Sequence, residues 1–213
     1  MAKTLLQFKY RVIDANVMRF YGVVFIREVS HMVTEHSDKG TLTNVLHSCR
    51  YTIESSLQWA MACDISSGME YLHRSQIIHG RLSTDHCLLD NHWTIKLTNW
   101  EDHLLRQMGH GKDLREEDQV WVAPELLRKP AAQASEPCDI YSFALILVAI
   151  FTRKNPFGES DPKDVIHQLK VKDLRPKVKG LVPDRVWCIA KKCWHPKAEL
   201  RPDASSVLSS VHK

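Results

Sequence analysis

The chain reads as an α+β protein whose strands come early and whose remainder is helical. Three observations carry that reading. Two short runs rich in β-formers, 19–25 (RFYGVVF) and 31–36 (HMVTEH), lie near the start. From Leu57 to His73, the residues Leu57, Met61, Ile65, Met69 and Leu72 recur at the spacing of one helix face. After Pro124, helical stretches alternate with prolines almost to the end. No linker-like shift in composition divides the chain, so one α+β unit is expected.

In order, residues 5–12 (LLQFKYRV) read as the end of an amphipathic helix, followed by the two strands. Residues 38–40 (DKG) form a turn, and Thr41 to Leu46 begins a helix. The long helix at 57–73 leads to two strand-like pieces, 86–90 (HCLLD) and 93–97 (WTIKL), with Asn91-His92 as the turn of a hairpin. Glu101 to Gln119 is polar and reads as an exposed, charged loop. Helices are then expected at 124–128, 138–153, 162–169, 184–194 and 203–211, punctuated by Pro130, Pro156, Pro162, Pro183, Pro196 and Pro202. The apolar run Phe143 to Phe151 is nine residues long, well short of the roughly 20 that span a bilayer, and reads as a buried helix. With no signal peptide at the start, no membrane segment is expected.

Composition narrows the function classes. A net charge of +4 over 213 residues, with Lys and Arg dispersed, provides no basic stripe for nucleic acid. The six cysteines form no C-x-x-C pair, which favours reduced thiols and a cytoplasmic setting, with Cys188 and Cys193 suited to burial. His79, His86, His92, His103 and His110 fall on different elements without an accompanying cysteine pair, so no metal site is expected.

Five motifs in order resemble the protein kinase fold across nearly the whole chain. They are MVTEHSDKGTLTNVL (32–46), GMEYLHRSQIIHGRL (68–82), VAPELL (122–127), CDIYSFALIL (138–147) and CWHPKAELRP (193–202). The resemblance implies a helical C-lobe at 37–213 and an incomplete, β-containing N-lobe at 1–36, made of the end of helix C and two strands to the hinge. It also implies a bidentate Glu125–Arg201 ion pair and an Asp139 that accepts backbone N–H bonds from the loop at His79. Thr34 would be the gatekeeper, the backbone of Glu35, His36 and Ser37 would meet adenine, and Leu88 would floor the pocket.

The positions that perform phosphoryl transfer depart from the kinase pattern. In H-R-D-x-x-x-x-N the Asp accepts the substrate proton and the Asn holds magnesium. Here His79 is kept, but Gly80, Arg81 and His86 replace the Arg, Asp and Asn. A guanidinium has no lone pair to act as a base, and general-base catalysis is worth about 10²–10⁴ in rate. Where D-F-G is expected stand Asn99, Trp100 and Glu101, and a neutral amide is a poor ligand for a hard cation. Trp100 can fill the hydrophobic position. The first glutamate, Glu28, comes too late to be the helix C ion-pair residue, and no Gly-rich phosphate loop precedes it. Between Glu101 and Glu125 there is no Ser, Thr or Tyr, so this segment has no hydroxyl to phosphorylate.

The H-G-x-L run at His79 to Leu82, DQVWVAPELLR (118–128) and LLDNHWTIKLTNW (88–100) resemble the kinase-homology domain of receptor-type guanylyl cyclases. That resemblance implies an inactive regulatory or scaffolding module in cGMP signalling, at the cytosolic face of the plasma membrane. It also implies weak ATP binding without magnesium, Arg81 being one phosphate contact to weigh against a plain loop-capping role. Partners would be cyclase or kinase-like domains, by homo- or hetero-association. Cyclase carboxylates and a heptad linker are not in this sequence, so the expectation is a fragment or a truncated paralogue with an exposed sheet edge and poor solubility. Two rivals are an active tyrosine-kinase-like protein kinase that binds ATP, and a stand-alone pseudokinase binding module.

Overall fold

The computed structural model describes residues 12–27, 29–101, 115–129 and 132–213. The helix expected at 5–12 lies almost wholly outside them, as do Glu28, His103 and His110. Strands β1 (Phe20–Ile26) and β2 (Val29–Thr34) pair antiparallel, from Phe20 opposite Thr34 to Ile26 opposite Val29. This hairpin forms a sheet of two strands whose Phe25 side is 74% exposed, with Val24, Ile26, Met32 and Val33 also exposed. A second antiparallel sheet, in the order β3-β4-β5, is built from β3 (Gly40–Thr41), β4 (Cys87–Leu89) and β5 (Ile95–Leu97).

The helices follow the periodicity and the prolines. Helix α1 (Leu42–His47) is capped by Thr41, whose Oγ1 accepts the Asn44 N–H at 3.2 Å. Helix α2 (Ser55–Arg74) buries Met61, Ile65, Met69 and Leu72 of the predicted stripe, and Leu57 at its start is half-buried. Short α3 (Glu116–Gln119) and α4 (Pro124–Arg128) precede the central helix α5 (Glu136–Thr152). Every residue of α5 from Cys138 to Ile150 is buried, as expected of a helix that is apolar all round. Helix α6 (Pro162–Lys172) lies on α3 and α4, while α5 packs against α2 and α7 (Asp184–Cys193), and α8 (Ala204–His212) lies on α2 and α7. Pro124 and Pro162 each occupy the first turn of a helix, where a missing N–H costs nothing.

Two packing details hold the site-bearing elements in place. Gly68 lets α2 run against the backbone at Asn16, because a Cβ there would lie 2.6 Å from the Asn16 carbonyl. That same segment extends the second sheet: Asn16 O accepts from Leu97 N, and Met18 N donates to Leu97 O, both at 2.8 Å. At the other end of the core, Arg153 ends α5 in the left-handed region. Its guanidinium donates to the carbonyls of Leu46, Ser48 and Tyr51 at 3.0, 2.7 and 3.2 Å. These carbonyls lie at and beyond the end of α1, so one side chain ties two helix ends together.

Some expectations need correction. Arg153 is the cap of α5 and not its last helical residue, while α6 continues beyond Leu169 to Lys172. The hairpin turn is wider than Asn91-His92, since Asp90 Oδ1 accepts from both His92 N and Thr94 N and Trp93 takes a positive φ. Cys188 is exposed on the outer face of α7, while Cys193, five residues on, is buried. The charged stretch from Glu101 is not simply solvated. Glu101 and Asp118 at its ends are both buried, and 116–119 is helical.

Candidate functional site

The loop after α2 is held from below by one carboxylate. Asp139, in the first turn of α5 and 1% exposed, accepts His79 N at 2.9 Å and Gly80 N at 2.8 Å. It also meets His73 Nε2, from the end of α2, at 2.9 Å. Burial opposes the Asp139 charge, but the His73 hydrogen bond, the adjacent histidines and the Gly80 amide hold its carboxyl below the usual range. Gly80 takes φ +68°, a conformation that favours glycine.

His79 is buried, and its Nδ1 accepts the Arg81 N–H at 3.3 Å. The ring proton therefore sits on Nε2. Burial drives its pKa down to about 4, so the ring stays neutral near pH 7. His86 Nδ1 donates to the Arg81 carbonyl at 2.6 Å, with Ser83 Oγ at 3.2 Å from the same nitrogen. His79 and His86 stack loosely with ring centroids 6.1 Å apart, and His92 lies on the exposed hairpin turn. Among the described residues no three His, Cys, Asp or Glu side chains come together as a metal cluster.

Arg81 is turned inward. Its side chain is only 10% exposed, and Nη2 lies 3.6 Å from Asp118 Oδ2. Asp118 also takes a bidentate pair from Arg115, with Nε to Oδ2 at 3.1 Å and Nη2 to Oδ1 at 3.0 Å. Burial works against the Asp118 charge, but Arg115, His86 and Arg81 together keep its carboxyl below its ordinary value. A cation from the loop thus stands against a buried anion from the segment that leads into α4. Asn99 adopts φ +62°, a left-handed position that asparagine tolerates better than most residues, and Trp100 is packed in the core at 2% exposure.

Glu125, on α4, receives Arg201 Nη1 at 2.6 Å and Nη2 at 2.9 Å. Arg201 is fully enclosed, donates also to the carbonyls of Pro137 and His195, and lies over the Tyr141 ring. Burial disfavours the Glu125 charge, yet the Arg201 pair pulls its carboxyl below the usual range.

The hinge residues stand apart from this cluster. Thr34 is exposed at the end of β2. Glu35 is committed to Lys96 Nζ at 2.8 Å, and its N–H donates to Arg19 O at 2.8 Å. His36 is exposed beside Asp38, and Ser37 Oγ is buried without a partner among the described residues. Leu88 is half-buried, paired in register with Thr41 and Lys96. Two cavities in the helical part, of about 560 and 190 Å³, include none of these hinge residues. Sequence reasoning missed Asp118, Arg115, His73 and Lys96 as members of the site. Their partners lie 37, 66 or 61 residues away in three of the four contacts, so local spacing carries no sign of them.

A family model described as protein tyrosine and serine/threonine kinase matches residues 4–211. The chain belongs to this kinase family. Among kinase-family relatives, it is 30% identical over 216 residues to the receptor-type guanylate cyclase Gyc76C of Drosophila melanogaster, covering 93% of this chain and 14% of that protein. It is 31% identical to retinal guanylyl cyclase 1 of Homo sapiens, over 80% of this chain and 16% of the relative. It is 29% identical to the probable serine/threonine-protein kinase SIS8 of Arabidopsis thaliana, over 93% and 19%. The kinase-like α+β fold and the relation to receptor guanylyl cyclases follow directly. The chain spans under a fifth of the length of each of these relatives. No helix among the described residues is long and apolar enough to cross a membrane.

Magnesium does not fit the residues at its two kinase positions. His86 spends Nδ1–H on the Arg81 carbonyl, and Asn99 offers only a neutral amide.

Proposed function

We propose that the chain is a catalytically inactive kinase-homology module that regulates or scaffolds a receptor guanylyl cyclase, with 1–36 as a partial N-lobe and 37–213 as the C-lobe. One observation carries the reading. The side chain at the general-base position is a guanidinium held against the buried Asp118, so it cannot accept a hydroxyl proton and is not free to leave. The structural pairs around it are intact: Asp139 with the loop, Glu125 with Arg201. Such a scaffold preserves a docking shape without the chemistry. Nucleotide binding in this reading is weak and free of magnesium, directed to the backbone at Glu35 to Ser37. The unpartnered Ser37 Oγ is an additional polar contact there. Because Arg81 is occupied by Asp118, a phosphate contact from it would require that pair to open. Association with a cyclase or kinase-like domain at the cytosolic face of the plasma membrane completes the proposal, which the cyclase relatives support.

The test is phosphotransfer from radiolabelled ATP with magnesium to a general protein substrate and to the chain itself, for the parent and Arg81→Ala. The expected result is background incorporation by both. Magnesium-dependent incorporation by the parent above that of Arg81→Ala overturns the assignment in favour of an active protein kinase.

A further inference from the structure

The larger cavity has a chemical character that the proposed module does not use. It lies between the end of α5, the connection into α6, and the segment after α6, with a volume of about 560 Å³. That is within the usual range of small-molecule sites, about 300–1,000 Å³. Its walls are mostly apolar, with Val148, Phe151, Phe157, Val165, Leu174 and Val178 lining it beside the polar Thr152, Asn155, Ser160 and Gln168. Val148, Val165 and Val178 are themselves buried, so the floor is part of the packed core. The charged residues that line it are all cations. Lys154 and Lys177 are exposed at the rim, with no ion-pair partner among the described residues.

Arg175 is a third cation in the lining. It donates to the carbonyls of Trp194 and Leu174 and lies over Tyr141, while its Nη2 is buried without an acceptor among the described residues. No Asp or Glu lines the cavity. The nearest acids in sequence are Glu159, exposed between the lining residues Gly158 and Ser160, Asp161, which accepts the Lys163 N–H at the start of α6, and Asp173, which is paired with Arg128. A largely apolar trough lined by two lysines without ion-pair partners among the described residues matches one kind of ligand, an apolar chain with an anionic head.

We infer that this cavity binds an amphiphilic carboxylate such as a medium-chain fatty acid, its chain along Val148, Phe157 and Val165 and its head between Lys154 and Lys177. The inference is independent of the proposed cyclase role, because none of its residues belongs to the degenerate catalytic loop. It is tested by calorimetric titration of the full chain with octanoate, decanoate and dodecanoate below their micelle concentrations. Dodecanol, dodecyltrimethylammonium and phosphatidylserine vesicles complete the set. One saturable site is expected, tightening by up to about fourfold per added methylene. The K154E/K177E variant changes two exposed side chains, so its fold is preserved. It should lose about tenfold in dodecanoate affinity, while Lys197→Glu, away from the cavity, should lose none. The inference is overturned by absence of saturable fatty-acid binding, including the case where only vesicles bind. Equal affinity for dodecyltrimethylammonium, or an unchanged K154E/K177E, also overturns it.

Discussion

Replacing Arg201 by methionine isolates the ion pair that joins α4 to the C-terminal region. Methionine keeps most of the apolar length of the side chain, so little packing is lost. What disappears is a cation that serves Glu125 through two hydrogen bonds, the carbonyls of Pro137 and His195, and the face of Tyr141. Glu125 is left as a half-buried carboxylate facing carbonyl groups. Breaking a buried pair from one side costs about 3–5 kcal/mol. A third of the Glu125 side chain reaches solvent, which places this case at the lower end, about 3 kcal/mol. For a domain of this size that corresponds to a fall in Tm of about 6–12 °C. Thermal melting followed by far-UV circular dichroism measures it directly. The double variant R201M/E125L removes both charges and should recover much of the loss, since the penalty lies in the orphaned carboxylate. An R201M protein that melts within about 1 °C of the parent would refute the reasoning.

Two further outcomes follow from buried groups. His79 has a folded pKa of about 4 against about 6.5 unfolded, so between these values the unfolded chain binds a proton that the folded chain refuses. Its contribution is fully present above pH 6.5 and is lost as pH falls toward 4, by up to about 1.4 kcal/mol per pH unit. Urea unfolding at pH 7, 5.5 and 4.5 should show this slope in the parent and a flatter one in His79→Asn; equal slopes would exclude the histidine. The lowered carboxyls of Asp118, Glu125 and Asp139 add losses only at lower pH. In the middle of α2, Gly68→Ala gains up to about 1 kcal/mol in helix propensity. The added Cβ would nevertheless meet the Asn16 carbonyl at 2.6 Å and Leu97 Cδ1 at 3.0 Å. The expected balance is a loss of about 1–3 kcal/mol in urea unfolding, and a stabilised variant would contradict it.

The elements readable from sequence are those whose signals are local. Pro124 and Pro162 mark helix starts because a first-turn proline gives up no intrahelical bond, and both stand there. The stripe from Met61 to Leu72 reports one buried face, and the uninterrupted apolar run near Phe143 reports a helix enclosed on every side. The motif residues Glu125, Asp139 and Arg201 were legible because the motifs that carry them resemble the kinase pattern. The counterpart of Arg81 was not, because nothing local ties position 81 to position 118. The hairpin that ends at Thr34 pairs only within itself among the described residues, and its β-rich sequence shows that it is a strand without showing what covers it. Gly68 was a missed clue, since a glycine inside a helical pattern often marks a close backbone approach.

The Arg81–Asp118 contact also limits how this sequence could change over time. Restoring aspartate at position 81 alone would set a second carboxylate toward Asp118, which is only 6% exposed. Like charges at such distance and burial disfavour each other's ionised forms. A single reversion would therefore cost stability before any chemistry returned, because Asn99 and His86 would still lack the metal-holding character required. The way back passes through a less stable intermediate that brings no compensating activity. On the proposed reading, arginine at position 81 is thus entrenched by a residue 37 positions away.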